Sequence, residues 1–305
     1  MNRIGIVVVA YNSEREIGRC LDSLPAGAET VVVDNASRDG TRTEVANRPA
    51  VRLIANPWNR GFAAAANQGI GALDSDLALL LNPDVEIVSG LDSLASQCAQ
   101  PGVAAAGGKL LGEDGRSQAG FMVRRLPTPL TLAFETLGLN RLFPGNPVNR
   151  RYRCFDLDPD AEASVEQPAG AFLMMRRDAW RQLGGFDESF YPVWFEDVDF
   201  AKRAAMAGYT MRYSPLTVAK HSGAHSVAQL PRSTRDLHWY GSLLKYGVKH
   251  FARDGVVLVC TSVVVGSVLR TVLALLPERR LEALYSCARI IRLAGALLLS
   301  GRSKA

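Results

Sequence analysis

Asn82-Pro83-Asp84 closes an unbroken apolar run, Leu77–Leu81, and its aspartate is the first group in the chain placed to do chemistry. Such a run reads as a strand covered on both faces. Pro83 has no N–H to give a ladder, so the strand ends there and Asp84 stands at the carboxyl edge of a sheet. Open α/β sheets take their ligands at that edge. A lone carboxylate there suits a hard cation that bridges to substrate phosphates; it suits the cap of a following helix equally well. A second set of carboxylates, Glu196, Asp197 and Asp199, opens a helix just after Phe190, Tyr191, Trp194 and Phe195. The helix macrodipole alone favours acids in a first turn, but a carboxylate beside an aromatic wall is also how a general base for a sugar hydroxyl is placed. His221 and His225 have the i,i+4 spacing of zinc helices, yet no Glu follows His221 and Gly223 lies between them. A zincin is therefore excluded, and one histidine adding to Asp84 on a single metal stays open.

These groups need a scaffold. Residues 4–9, 30–33, 51–54 and 77–81 read as buried strands, and the segments between them carry helical spacing, as in Ile17, Cys20, Leu21 and Leu24. Ser13 or Asn12 is expected to cap the first helix. Residues 63–72 form a small-residue helix able to lie close on a sheet. Strand–helix alternation four times in about eighty residues predicts a doubly wound parallel sheet. The second strand ends in Asp34, a position that commonly accepts hydrogen bonds from a nucleotide's ribose or base; Ser37, Asp39 and Thr41 after it read as turn and cap residues. No G-x-G-x-x-G follows the first strand, which argues against a dinucleotide-dependent dehydrogenase, and no Walker sequence occurs. A phosphorylated ligand would thus need a metal to carry part of its charge. Further on, 103–121 predicts two strands around a turn at 112–115, and 171–175 and 210–213 predict two more.

The chain has 305 residues, 48% of them apolar, enough for one sizeable α/β core and an appendage. Its five cysteines are scattered, with no Cys-x-x-Cys pair, as expected of reduced cytosolic thiols without a zinc site. The first strand begins at Ile4, so no signal peptide is expected. Net charge is +5 overall, but residues 231–305 carry 12 Lys/Arg against 4 Asp/Glu and leave the body slightly acidic. An anionic surface is the expected partner of that tail, and nucleic acid is not an expected partner. Residues 124–160 lose periodicity among five prolines and the basic residues Arg124, Arg125, Arg141, Arg150, Arg151 and Arg153. They read as a mobile insertion or as an acceptor loop whose arginines face phosphate.

Val8-Val-Ala-Tyr-Asn12, Val33-Asp34-Asn-Ala-Ser-Arg-Asp-Gly-Thr41, Asn59-Arg-Gly61, Leu81-Asn-Pro-Asp84, Gly184-Gly-Phe-Asp187, Phe195-Glu-Asp-Val-Asp199 and His221 occur in an order that resembles the inverting glycosyltransferases of family 2. The likeness spans residues 4–226, and Asn59–Asn67 with Leu-Asn-Pro-Asp is most similar to the bacterial rhamnosyltransferase branch. It implies a GT-A nucleotide-sugar-binding domain over residues 1–230 and a helical region over 231–305. Ala10, Tyr11 and Asp34 would hold the nucleobase, with Arg60 close to the base or diphosphate. Asp84 corresponds to the last carboxylate of the family's metal motif, with Asn82 in place of the first. That asparagine can still reach a ribose hydroxyl. Asp84 and His221 would hold Mg2+ or Mn2+, and Asp197 would be the catalytic base. The expected donor is a nucleotide-diphosphate sugar, dTDP-rhamnose by resemblance alone, and the acceptor a cell-envelope saccharide linked to polyprenyl diphosphate. The competing readings are a hexosyltransferase using a UDP-sugar and a non-catalytic, membrane-bound adaptor.

The tail adds a location. Basic residues interleave with aromatics and leucines over 232–253, and 256–269 is apolar but shorter than the roughly 20 residues of a spanning helix. Extending that run to Leu276 includes Arg270, at an insertion cost of about 2.5–3.5 kcal/mol if central. Three readings follow: helices packed on the body or on a second subunit, a membrane span, or helices lying in an anionic interface. The last implies a cytoplasmic enzyme, peripheral on the inner face of the cell membrane.

Overall fold

The computed structural model describes residues 3–223, 230–274 and 280–300; His225 and Leu276 lie outside the described residues. The chain opens with β1 (Ile4–Ala10), α1 (Ile17–Asp22), β2 (Glu29–Asp34), α2 (Thr41–Ala46), β3 (Val51–Ala55) and α3 (Phe62–Gly71). It continues with β4 (Leu77–Leu81), β5 (Val85–Ser89), α4 (Leu91–Cys98), β6 (Val103–Leu111) and β7 (Val123–Arg124). After α5 (Pro129–Thr136), α6 (Leu139–Leu142) and α7 (Pro147–Tyr152) come β8 (Ala163–Val165), β9 (Gln167–Pro168) and β10 (Phe172–Arg176). Then follow α8 (Arg177–Gln182), α9 (Glu196–Met206), β11 (Thr210–His221) and three long helices, Arg232–His250, Arg253–Ala274 and Arg280–Ser300. Two compact units result. The first comprises Met1–Leu126, Arg153–Pro192 and Glu196–Ala228; the second comprises Pro127–Tyr152, Val193–Phe195 and Gln229–Ala305.

The first unit is built on a nine-stranded sheet of order β3-β2-β1-β4-β10-β6-β11-β5, with β8 paired to β11. β3, β2, β1 and β4 run parallel because a helix returns the chain after each of the first three strands. Both faces of β4 are covered. Leu77, Leu79 and Leu81 join one apolar cluster with Ile6, Val8 and Val32, while Ala78 and Leu80 join another with Val7, Val31 and Val33. This is the physical content of five apolar residues without alternation. On the second face α3 lies tight against the sheet: a Cβ on Gly69 would fall 2.4 Å from Val7 Cγ1.

The sheet is mostly parallel, as expected, but not wholly. β10 enters antiparallel between β4 and β6, and β5 pairs antiparallel with β11. A buried strand has the same apolar composition in either direction, so its sense is not written in its residues. The turn at 112–115 forms, but its second strand shrinks to one bridge, Leu111 to Ser117. β11 runs well past the expected 210–213, with its register to β6 shifting between Ser214 and Val218, around Pro215. α1 begins at Ile17 without a side-chain cap on its N-cap residue Glu16. Asn12 and Ser13 tie down the turn after β2 instead: Asn12 Oδ1 accepts from Arg38 N, and Ser13 N donates to Thr41 Oγ1.

In the second unit, residues 127–152 fold as three short helices rather than a loop. Two of them start with a proline in the first turn, and none exceeds eight residues, too short to show a period. The Arg253–Ala274 helix seats α5 with small residues: a Cβ on Gly266 would lie 2.2 Å from Thr136 O, and one on Gly255 would lie 2.8 Å from Pro129. Ser262 Oγ meets Thr136 Oγ1 at 2.8 Å. Arg270 turns inward, donates to Thr136 O at 2.9 Å and lies 5.0 Å from the centre of the Tyr240 ring. The opposite face of this helix exposes Val257, Leu258, Val265, Val268, Leu269 and Val272.

Candidate active site

The carboxyl ends of β2, β1 and β4 lie side by side, so three expected contact points share one edge. Ala10 pairs with Asp34 in register, and Val8 with Leu81, which sets Asn82–Asp84 level with the end of β1. Asn35 N donates to Ala10 O at 2.8 Å and locks the exits of β1 and β2 together. Asn12 and Ala36, just beyond, hold left-handed backbone at φ 50° and 71°. Each such residue costs about 1–3 kcal/mol and clusters where a site demands a shape. Tyr11 N is held by Ser13 Oγ at 3.3 Å. Asp34 is wholly buried, and its Oδ2 accepts Arg42 Nε at 2.6 Å. Arg42, which nothing in the sequence singles out, is thus the cation paired with this buried aspartate.

Arg60 sits in a loop organised by amides. Asn35 Nδ2 donates to Asn59 Oδ1 at 3.0 Å and to Gly61 O at 3.1 Å, while Asn35 Oδ1 accepts from Arg60 N at 2.9 Å and from Asn56 Nδ2 at 3.3 Å. Gly61 holds φ 84°, and a Cβ there would strike the Tyr191 ring at 2.9 Å. The loop's shape is therefore fixed while the Arg60 side chain stays exposed.

Asp84 and His221 meet. β11 pairs His221 with Val85, Ser222 N donates to Asp84 O at 3.2 Å, and His221 Nε2 lies 3.6 Å from Asp84 Oδ2. Both side chains are over nine-tenths buried. Among the described residues no group of three or more His, Cys, Asp or Glu is placed to hold a metal. A two-donor pair fits Mg2+ or Mn2+, which is held by one or two protein groups together with substrate phosphates and water, and does not fit a closed cage. Asn82 is fixed through its backbone, N to Ala171 O at 2.9 Å.

That contact leads to Asp197. Gly170, the neighbour of Ala171, donates its N–H to Asp197 Oδ2 at 3.0 Å; Gln167 Nε2 reaches the same oxygen at 3.0 Å, and Val198 N reaches Oδ1 at 2.8 Å. Burial pushes the Asp197 pKa up, and the Gly170 and Val198 N–H groups and the Arg124 charge pull against it. Glu196 beside it is pushed far up by burial and by Asp197, with no partner for Oε2 among the described residues. It thus stands beside Asp197 as a second buried acid whose charged form is disfavoured. Asp199 is structural: it pairs with Arg203 Nε at 2.7 Å, and Arg203 in turn holds the Leu183 and Gly185 carbonyls. Phe190 is fully buried, Tyr191 is exposed, and Phe195 packs on Trp239 and Tyr246 in the second unit. Of the expected acceptor arginines, Arg125 pairs with Glu166 at 3.2 Å, while Arg141, Arg150 and Arg151 are exposed on the second unit.

Sequence reading missed Asn35, Arg42, Gln118 and Gly170. Only Asn35 had a signal, since it follows the strand-ending Asp34 directly.

A family profile, Glycosyl transferase family 2, matches residues 5–153. An N-acetylglucosaminyl-diphospho-decaprenol L-rhamnosyltransferase of Mycobacterium tuberculosis is 30% identical over 263 residues, covering 80% of this chain and 84% of the relative. A low-salt glycan biosynthesis hexosyltransferase of Haloferax volcanii is 27% identical over 67% of this chain and 62% of its own length. Among solved structures, a mannosyltransferase of Pyrobaculum calidifontis in complex with GDP-Man and Mn2+ is similar in fold at TM-score 0.55 and 19% identity, over 98% of this chain and 81% of that one.

Proposed function

Since the chain belongs to glycosyl transferase family 2 and is a glycosyltransferase of GT-A fold, we propose that it moves L-rhamnose from dTDP-rhamnose, with inversion, to a saccharide on a polyprenyl diphosphate. The observation that carries this reading is the Asp197 carboxylate, held by the Gly170 N–H one residue from the backbone contact that fixes Asn82. The sugar and the acceptor class rest on the mycobacterial relative, whose name gives both.

Asp197 accepts the acceptor hydroxyl's proton as that oxygen attacks the anomeric carbon from the face opposite the diphosphate. The bond from the anomeric carbon to the diphosphate oxygen breaks, its electron pair leaves with the nucleotide, and the configuration inverts in one step. Ala10, Tyr11 and Asp34 hold the base, with Asp34 accepting a base N–H through Oδ1, which Arg42 leaves and which Ser37 N approaches only at 3.4 Å. Asn82 reaches the ribose, and Arg60 reaches the base or diphosphate. Asp84 and His221 would hold the divalent cation, which supplies Lewis-acid neutralisation of the departing diphosphate. Purified protein should transfer rhamnose from dTDP-rhamnose to polyprenyl-diphospho-N-acetylglucosamine and lose that activity to a chelator. Transfer only from UDP-hexoses would move the donor assignment, and no transfer from any donor would favour the adaptor reading.

In the same reading the enzyme works in the cytoplasm, on the anionic inner face of the membrane, and features of the second unit support this. Arg253–Val272 is long and apolar enough to cross a bilayer by length and composition. Its exposed stripe, Val257 to Val272, is uncharged because Arg270 turns onto Thr136 and Tyr240. One face seated by α5 and one apolar face toward solvent suit a helix lying in the interface, with the tail's excess of basic residues adding attraction to anionic lipid.

A further inference from the structure

His221 is held more tightly than its place at the end of β11 requires. The turn after β6 brings residue 118 back, with Gln118 N donating to Leu110 O at 2.8 Å, so that its side chain faces the histidine. Two bonds then close a ring. Gln118 Nε2 donates to the His221 backbone carbonyl at 2.8 Å, and Gln118 Oε1 lies 2.8 Å from His221 Nδ1. The first bond decides the second. Only the amide N–H group can face a carbonyl at that distance, so the oxygen faces Nδ1, and Nδ1 must carry the hydrogen. With Nδ1 committed to the amide, Nε2 is the ring nitrogen turned toward Asp84, 3.6 Å from its Oδ2. Phe121 stacks on the ring, centroids 5.0 Å apart and planes 12° apart, and stops it from turning. The amide and the Phe121 ring together fix which edge of the imidazole faces Asp84.

We propose that Gln118 is the positioning residue of the cation site, holding His221 in the tautomer and orientation that offer Nε2, together with Asp84, to a divalent ion bound to a nucleoside diphosphate. This rests on the reading that Asp84 and His221 take such an ion. Outer partners of this kind fix the ring and raise its basicity, and removing one typically lowers metal affinity about 10–100-fold.

The test is Mn2+ affinity in the presence of dTDP, followed by the paramagnetic signal of free Mn2+, for wild type, Gln118→Leu, Gln118→Glu and His221→Ala. Gln118→Leu should bind Mn2+ at least about 10-fold more weakly than wild type, while dTDP affinity without metal stays unchanged. Gln118→Glu keeps an acceptor for the Nδ1 hydrogen and should restore most of the loss. Nitrogen-15 spectra of labelled histidine read the tautomer directly, without metal: His221 should be Nδ1-protonated in wild type and lose that preference in Gln118→Leu. Equal Mn2+ affinity in wild type and Gln118→Leu, with His221→Ala weakened, would overturn the role of Gln118 and leave the metal reading standing. Wild type that binds no Mn2+ beyond what free dTDP binds would overturn both.

Discussion

Gly170 gives its backbone N–H to Asp197 Oδ2 at 3.0 Å, and a Cβ on Gly170 would lie 3.0 Å from both the Cβ and the Oδ2 of that aspartate. The glycine thus aims the carboxylate and leaves no space for it to retreat. Gly170→Ala should shift the carboxylate by a few tenths of an ångström and lower kcat roughly 10-fold or more, since small misplacements of a reacting group are costly. Nucleotide affinity should be unchanged. Steady-state kinetics with calorimetry of dTDP binding separates the two effects.

Asp197→Asn keeps the shape and removes the base. Turnover should fall roughly 10²-fold or more with donor binding intact. Near-normal turnover would move the base to another residue, with Glu196 the next to examine.

The pH profile should carry the mark of burial. Because burial lifts the Asp197 pKa, the acid limb of kcat/KM should lie above the ordinary aspartate value of about 3.9. Arg124→Gln removes a charge that favours the carboxylate and should move the limb further toward neutral. Glu196, also lifted, contributes stability that is full below its unfolded pKa and is lost as pH rises through the folded one. Glu196→Gln should therefore gain Tm relative to wild type as pH climbs from acid to neutral, a trend that a thermal-shift series at several pH values would read.

Asp84→Ala should abolish any dependence of donor affinity on Mg2+ or Mn2+, and His221→Ala should weaken it. Unchanged wild-type activity in chelator would transfer neutralisation of the leaving group to cationic side chains, Arg60 first.

Anionic vesicles at low salt should sediment the wild-type protein, while Val265→Glu with Leu269→Glu should leave it in solution with donor binding intact. Both residues are exposed on the apolar stripe, so the pair changes the surface without touching the contacts that seat α5. Wild-type protein that stays in solution would favour helices packed on a second copy.

Much of this was legible in the residues, and the gaps have physical causes. Asp84 could be placed because a proline after five apolar residues fixes where a buried strand stops. Its pairing with His221 was expected only through the family resemblance, because locally it depends on β11 running past Pro215 to pair with β5, a strand of five residues with two polar side chains. Asp199 and Asp197 look alike in sequence; only the position of Arg203 one helical turn on separates the structural acid from the poised one. Gln118, Asn35 and Arg42 carry side chains that sit on any protein surface, and their roles come from partners distant along the chain.

The chain passes between its two units four times before residue 200: at 126/127, 152/153, 192/193 and 195/196. No single cut can therefore part them. A truncation before the Arg253–Ala274 helix would strip α5 of the surface on which Gly255, Ser262 and Gly266 seat it. A chimera made by swapping everything after residue 230 would inherit one half of an interlocked core from each parent. Exchange of the second unit between relatives thus requires coordinated change in three stretches of the gene, which ties the helical tail to the inheritance of its own catalytic body.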